Sequence, residues 1–260
     1  MLKRKLKVCW LLPSLFIVLL SHDLIQAQSL RLDISLSDTT YYVSQSIWLD
    51  ATLTDTSEDT VRIFGFEFPG GNRLNVVLTN ETGDTLRPVL RFEFLDWSGF
   101  LLNPGETYYE TFDLADIFHM ELGKYEVSAE YYRTSTPKIS LEVTEPTGAE
   151  RQAFELYTEA FKNQNRTDYF PSKQLLSKLI TSYPKSVYAE KAYWRVHGDE
   201  ELLEKYPDSG YHQGHLRTAI DKMSHEEKQR FLQKVIKEHP KTRSAKFAEQ
   251  LLRDLKRKGE

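Results

Sequence analysis

The sequence is poor in cysteine: it has one, Cys9, inside an apolar run near the N-terminus and without a lipoprotein-type cleavage box beside it. If that run is removed, no thiol remains. Disulfides, thiolate metal sites and cysteine nucleophiles are then excluded, and stability rests on packing. Long hydrophobic runs are also lacking. The longest, Val8 to Leu20, is interrupted by Pro13 and Ser14 and is shorter than the roughly 20 residues that span a bilayer. Several chemical signatures are missing: the Gly-x-Ser-x-Gly elbow, the phosphate-cradling glycine loop, Gly-x-Gly-x-x-Gly and His-Glu-x-x-His. No carboxylate pair stands apart from a generally acidic surface, so a glycosidase is not legible. The sequence assigns no catalytic, cofactor-binding or metal-binding residue, and no cofactor.

The N-terminus reads as an export signal. Lys3, Arg4, Lys5 and Lys7 precede the apolar run, and a polar stretch then leads to small Ala27. A basic region, a short apolar region and a small-residue exit make a secretory signal peptide over residues 1–27. The rival reading is a retained anchor; length and flanks favour cleavage after Ala27. Membrane contact is expected through this segment alone, and the mature chain is expected to be periplasmic or secreted.

Beyond it the charge is uneven. Residues 28–147 hold 8 Lys/Arg against 20 Asp/Glu, and residues 148–260 hold 22 against 17. Such asymmetry marks two modules with different surfaces, and the turn residues Glu145-Pro146-Thr147-Gly148 mark the boundary. Opposite net charges on either side of a short linker predict docking of acidic on basic residues, loosening as salt shortens the Debye length.

Up to the boundary the pattern is that of strands. Leu30, Leu32, Ile34 and Leu36 alternate with polar residues, as do Ile47, Leu49, Ala51 and Leu53, and Tyr125, Val127, Ala129 and Tyr131. Val61-Arg62-Ile63, Leu74 to Leu78, and Ile139, Leu141 and Val143 add further strands between turn residues. Many short strands with no helical period between them predict a β-sandwich. Aromatics are frequent here, including Tyr41, Tyr42, Trp48, Trp97, Tyr108, Tyr109, Tyr131 and Tyr132. Most fit ordinary sheet packing. Adjacent pairs such as Tyr108-Tyr109 must point to opposite faces, so one of each is expected toward solvent, where it could stack on a sugar.

Tyr41 to Leu49 leading into Leu53-Thr54, and Leu102-Asn103-Pro104-Gly105-Glu106-Thr107 followed by Gly123 to Val127, resemble the opening and closing of bacterial immunoglobulin-like domains. Phe66 to Asn72 running into Val76 to Gly83 is similar to the bacterial intracellular proteinase inhibitor family. The resemblance implies an immunoglobulin-like β-sandwich over 28–147. A carbohydrate- or protease-binding module is one function that such a sandwich could carry.

From Ala149 the period becomes helical. Ala153, Leu156, Tyr157, Ala160 and Phe161 recur at three- and four-residue spacings, as do Leu175, Leu176, Leu179 and Ile180, and Phe231, Leu232, Val235 and Ile236. Helices stop at Tyr183-Pro184 and His239-Pro240, because proline lacks an amide and clashes with the preceding turn. Aligning the prolines exposes a repeat. Pro184-Lys185-Ser186 to Ala192 matches Pro240-Lys241-Thr242 to Ala248, with a third copy at Tyr206-Pro207-Asp208-Ser209 to His215. Ser186 and Thr242 are placed as N-caps. The prolines are 23 and 33 residues apart, the second close to the roughly 34 of a helix-turn-helix repeat.

These junctions resemble the divergent tetratricopeptide repeats of bacterial envelope proteins, including outer-membrane assembly lipoproteins. The resemblance implies tetratricopeptide-like helical repeats over 148–260 and a groove that takes a protein partner. His212 and His215, three apart on one helical face, are the only spacing suggestive of zinc. The repeat alignment places them where the other copies have Ala189, Ala192, Ala245 and Ala248, which predicts a packing role. The basic tail Arg253 to Lys258 reads as a solvated helix end that complements its dipole, with no nucleic-acid role. The expected function is a non-enzymatic interaction or scaffold protein of the cell envelope. A hydrolase with a site between the modules is the remaining alternative, and the oligomeric state stays open.

Overall fold

The computed structural model describes residues 30–63, 74–89, 100–162 and 172–258. It is a mixed β and α protein, with its sheets in the N-terminal half and its long helices in the C-terminal half. Strands β1 (Leu30–Leu36), β3 (Trp48–Asp55) and β7 (Thr107–Asp113) form one antiparallel sheet in the order β1-β3-β7. The second sheet runs β2 (Thr40–Tyr42), β10 (Ile139–Thr144), β8 (Gly123–Tyr131), β5 (Leu74–Asn80), with β9 (Thr134–Ser135) beside β8. Only β2 enters it parallel, against β10. Strands β4 (Val61–Ile63) and β6 (Phe100–Leu102) pair separately.

One core joins these strands. Leu32, Leu49, Ala51, Leu53 and Tyr108 from the first sheet meet Val76, Leu78, Val127, Ala129, Tyr131, Leu141 and Val143 from the second. They are the alternate residues of each strand, as the two-residue period requires. A short helix, α1 (Leu114–Ile117), follows β7 directly; Asp113 is its N-cap and accepts a hydrogen bond from the Ala115 amide.

The change from strands to helices falls between Thr144 and Gly148. Helices α2 (Gly148–Lys162), α3 (Lys173–Ser182) and α4 (Ala189–His197) share a core of Ala153, Tyr157, Ala160, Leu176, Leu179, Ala189 and Ala192. After α5 (Asp199–Lys205), helices α6 (His212–Asp221), α7 (His225–Glu238) and α8 (Arg243–Lys258) enclose Leu216, Leu232, Val235, Phe247 and Ala248.

Three junctions in this half share one geometry. Helices α3, α5 and α7 end at Tyr183, Tyr206 and His239, whose φ/ψ values are −133/57°, −134/66° and −125/52°. Each precedes a proline, whose ring pushes the residue before it out of the helical region. Each donates its amide four residues back, to Leu179, Leu202 and Val235. Each carbonyl then accepts the amide three residues on, from Ser186, Ser209 and Thr242.

The caps differ from expectation at one junction. Thr242 Oγ1 accepts from the Ala245 amide as an N-cap does. Ser186 Oγ instead accepts from the Tyr188 amide, and Ser209 Oγ from the Tyr211 amide. Both serines close a tight turn one step before the helix, so Tyr188 and Tyr211 take the N-cap position without a side-chain cap.

Candidate functional site at the sheet–helix seam

Strand register defines the face on which the helices rest. Trp48 lies opposite Asp113, Asp50 opposite Thr111, and Thr52 opposite Tyr109. Directly opposed residues share a face, so these turn away from the core formed with the second sheet. That outer face is nevertheless covered: Trp48, Tyr109, Thr111 and Asp113 are all buried. The cover comes from the N-terminal ends of α4, α6 and α8 and the turns that lead into them, the segments that follow the three prolines.

Asp113 is the hub. Its Oδ1 accepts from the Ile47 amide at 2.9 Å, and its Oδ2 accepts from the Tyr211 hydroxyl at 3.0 Å. Lys191 Nζ stands 3.5 Å from the same Oδ2 and donates to Asp116 Oδ1 at 2.5 Å. Burial pulls the Lys191 ammonium down, but Asp113 and Asp116 outweigh it and hold the group above its ordinary range. A second buried cation, Arg243, donates from Nε to Asp50 Oδ1 at 2.8 Å and from Nη1 to Asp208 Oδ2 at 2.9 Å. Tyr109 donates its hydroxyl to the same Asp50 oxygen at 2.7 Å.

Aromatic packing fills the space between these pairs. The Tyr211 ring stacks on Trp194 at 4.2 Å and meets Trp48 edge-on at 4.7 Å. Tyr211 and Tyr188 occupy equivalent places in two copies of the repeat, and both reach the sheets; the Tyr188 hydroxyl donates to the Val43 carbonyl at 2.9 Å. Gly210 lies so close to the sheet that a Cβ there would stand 2.3 Å from the Trp48 ring and 2.9 Å from Thr111. Only glycine fits at that point.

The rim is formed by α8 along the open side of β7. Gln250 Oε1 accepts from the Tyr109 amide at 2.6 Å. Arg253 donates to the Thr107 carbonyl at 2.8 Å, and Arg257 donates to the Leu101 carbonyl at 2.7 Å and pairs with Glu106. These cations are therefore not a solvated helix end, as the sequence pattern suggested. Their partners are backbone carbonyls and a carboxylate of the sheets.

Two half-buried carboxylates lie near these helices: Glu190 on α4, and Glu110, which shares the inner face of β7 with Tyr108. Burial pushes Glu110 up to about 7, a shift that Arg217 and the Tyr108 hydroxyl only partly offset; Arg217 Nη2 is 3.9 Å away and half exposed. Burial also raises Glu190, which is hydrogen-bonded by Ser209 and the Trp48 indole. Glu110 faces Tyr108 and Arg217, whereas Glu190 Oε1 is enclosed without a hydrogen-bond partner among the described residues. The cavity beside the seam has a volume of about 470 Å³ and walls that include Tyr157, Phe161, Lys162 and Lys191, with neither carboxylate among them. A second cavity of about 470 Å³ lies between α2 and α3, lined by residues including Gln152, Glu155, Leu156, Lys178 and Tyr183. A third, about 770 Å³, lies at the second sheet beside Thr40, Thr79, Lys124, Glu126 and Glu142.

Of the residues singled out by sequence, His212 is fully buried, and its Nε2 donates to the Tyr206 carbonyl at 2.7 Å. It packs where the sister copies carry Ala189 and Ala245, both buried. His215 is half-buried. Among the described residues, no group of three or more His, Cys, Asp or Glu converges on a metal position. Tyr108 and Tyr109 do point to opposite faces, but neither reaches solvent. One enters the sheet–sheet core and the other lies under the helices. Tyr132 is exposed. Trp97, residues 66–72 and the segment 1–27 lie outside the described residues.

Sequence reasoning did not find Lys191, Asp113, Arg243 and Asp50. The charge contrast between the halves was the available signal, and it named the two signs without naming the residues.

No family model matches this chain, and no curated protein matches it. Solved structures share short stretches. A β-glucosidase from Listeria innocua in complex with gluconolactone is 17% identical over 46% of this chain and 16% of its own, with a TM-score of 0.30. The Pseudomonas fluorescens alkylpurine DNA glycosylase AlkC, bound to DNA containing an abasic site analogue, is 12% identical over 44% and 30%, at 0.29. The sporulation control protein Spo0M from Bacillus subtilis is 11% identical over 54% and 64%, at 0.30. The chain spans about a sixth of that glucosidase and less than two thirds of Spo0M. Likeness at this level carries no functional argument.

Proposed function

We propose that this chain is an exported, non-enzymatic protein–protein interaction or scaffold protein of the bacterial cell envelope. In this reading residues 1–27 are a cleaved signal peptide, the sheets are an immunoglobulin-like sandwich, and the helices are tetratricopeptide-like repeats. The observation that carries it is the junction geometry repeated at Tyr183, Tyr206 and His239, with small buried residues after two of the three turns. Helix-turn-helix arrays of this kind bind proteins along a continuous surface.

Here the sheets already occupy the ends of α4, α6 and α8. The partner surface is therefore the groove between α2 and α3, where Glu155 and Lys178 are exposed around half-buried Leu156. A hydrolase with a site at the seam fits less well, because neither Glu110 nor Glu190 lines the cavity beside it. A sugar-stacking platform also fits less well, because Trp48, Tyr108, Tyr109 and Tyr131 are buried.

The test is crosslinking of the mature protein in an envelope extract, compared with a Lys178→Glu variant. A defined protein adduct that the variant loses is the expected result. No adduct above background, or an adduct indifferent to the variant, contradicts the reading.

A further inference from the structure

Among the described residues, strand β7 ends its sheet, and no described strand pairs with its outer side. On the inner side the Glu106 carbonyl accepts from the Asp55 amide. Backbone groups alternate along a strand, so Thr107 and Tyr109 turn theirs outward. Those are the groups that Arg253 and Gln250 take, at 2.8 and 2.6 Å. Gln250, Arg253 and Arg257 are spaced three and four apart and share one helical face. Helices ordinarily pack on the faces of sheets, yet α8 meets β7 edge-on with its side chains in place of a partner strand's backbone. The contact covers the first part of β7, at Thr107 and Tyr109, and continues past the strand's start, where Arg257 takes the Leu101 carbonyl and Glu106.

We infer that α8 is an edge guard, and that without its caps β7 pairs with β7 of a second copy of this chain. The sequence of the strand, Thr-Tyr-Tyr-Glu-Thr-Phe-Asp, is rich in β-branched and aromatic residues, the composition that makes an open edge adhesive. The sheet is antiparallel throughout. Two copies can therefore continue it across a two-fold axis, each offering the same edge to the other. The edge pairing is independent of what the protein binds.

The test uses the mature chain carrying Gln250→Leu, Arg253→Met and Arg257→Met together, with mass measured by light scattering across a concentration series. Weight-average mass rising about twofold with concentration, as a two-fold pair requires, is expected. Adding Thr107→Pro should reverse the rise, because proline removes an outward amide without touching the pairing to β3. A triple variant that folds and stays monomeric overturns the inference, and so does association that Thr107→Pro leaves intact. If the triple variant loses its circular dichroism signal, single variants decide. Gln250→Leu should associate and Gln250→Glu, which keeps the acceptor, should not; equal behaviour of the two overturns the inference.

Discussion

Lys191, on a helix, stands 3.5 Å from the Asp113 carboxylate at the end of a strand, and both side chains are less than a tenth exposed. The pair is satisfied from both sides, by Asp116 for the lysine and by Ile47 and Tyr211 for the aspartate. Removing one member of such a pair leaves a buried charge without compensation, which costs far more than the intact pair contributes. Lys191→Met should therefore lower unfolding free energy by about 3 kcal/mol in urea titration. A loss under about 1 kcal/mol would place the pair in a wetter environment, where ion pairs contribute little.

Two glycines separated by a single helical turn should respond in opposite ways. Gly210→Ala drives a methyl into Trp48 and Thr111, and overpacking of this kind costs about 1–3 kcal/mol. Gly214 lies inside α6, and a Cβ added there would meet nothing within 4 Å, so Gly214→Ala should stabilise by up to about 1 kcal/mol. Thermal melting followed by near-ultraviolet circular dichroism, which senses Trp48 and Trp194, separates the two. Equal shifts would contradict the close approach at Gly210.

Glu110 sets a pH dependence. Its carboxyl titrates near 7 in the folded protein and near 4.3 when unfolded. The fold favours the neutral form, so the contribution is complete below the unfolded value and is lost as pH rises through about 7. Glu110→Gln removes that dependence. Relative to wild type, the variant should gain on the order of 2 kcal/mol between pH 5 and pH 8, read as the difference between two urea titrations. A constant difference across that range would mean that Glu110 is ionised throughout.

His212 should behave as a packed residue. His212→Ala removes a bond to the Tyr206 carbonyl and leaves a gap, costing about 1–3 kcal/mol. Zinc at micromolar concentration should leave the wild-type melting temperature unchanged. A rise that is abolished in the variant would make the imidazole a ligand instead.

Much of this arrangement was legible in the sequence, for reasons of period. The alternation at Leu49, Ala51 and Leu53 placed β3, and Pro184 and Pro240 placed the ends of α3 and α7, because both signals are local; Pro207 marked a repeat copy without naming the helix before it. Pairings between residues far apart in sequence were not legible. Asp50 and Arg243 are separated by 193 positions, and nothing near either names the other. Tyr109 shows the same limit. Its alternation correctly turned it out of the sheet core, but local pattern cannot tell an outer face that meets water from one that meets helices. The histidines were placed by repeat alignment, which carries information from one copy to the next.

Above all, helices and sheets form one docked body. The charge asymmetry by itself predicts docking that loosens in salt. The structure alters that expectation, because Lys191, Asp113 and Arg243 are buried and Asp50 is mostly covered, where screening is weak, and Trp48, Tyr211 and Trp194 pack between them. Small-angle scattering of residues 28–260 at about 50 mM and about 1 M salt tests this directly, since the Debye length falls from above 10 Å to about 3 Å across that range. A radius of gyration near the roughly 18 Å of a compact chain of this length, unchanged between the two conditions, is the predicted result. A larger radius at low salt, or one that grows as salt is added, would contradict it.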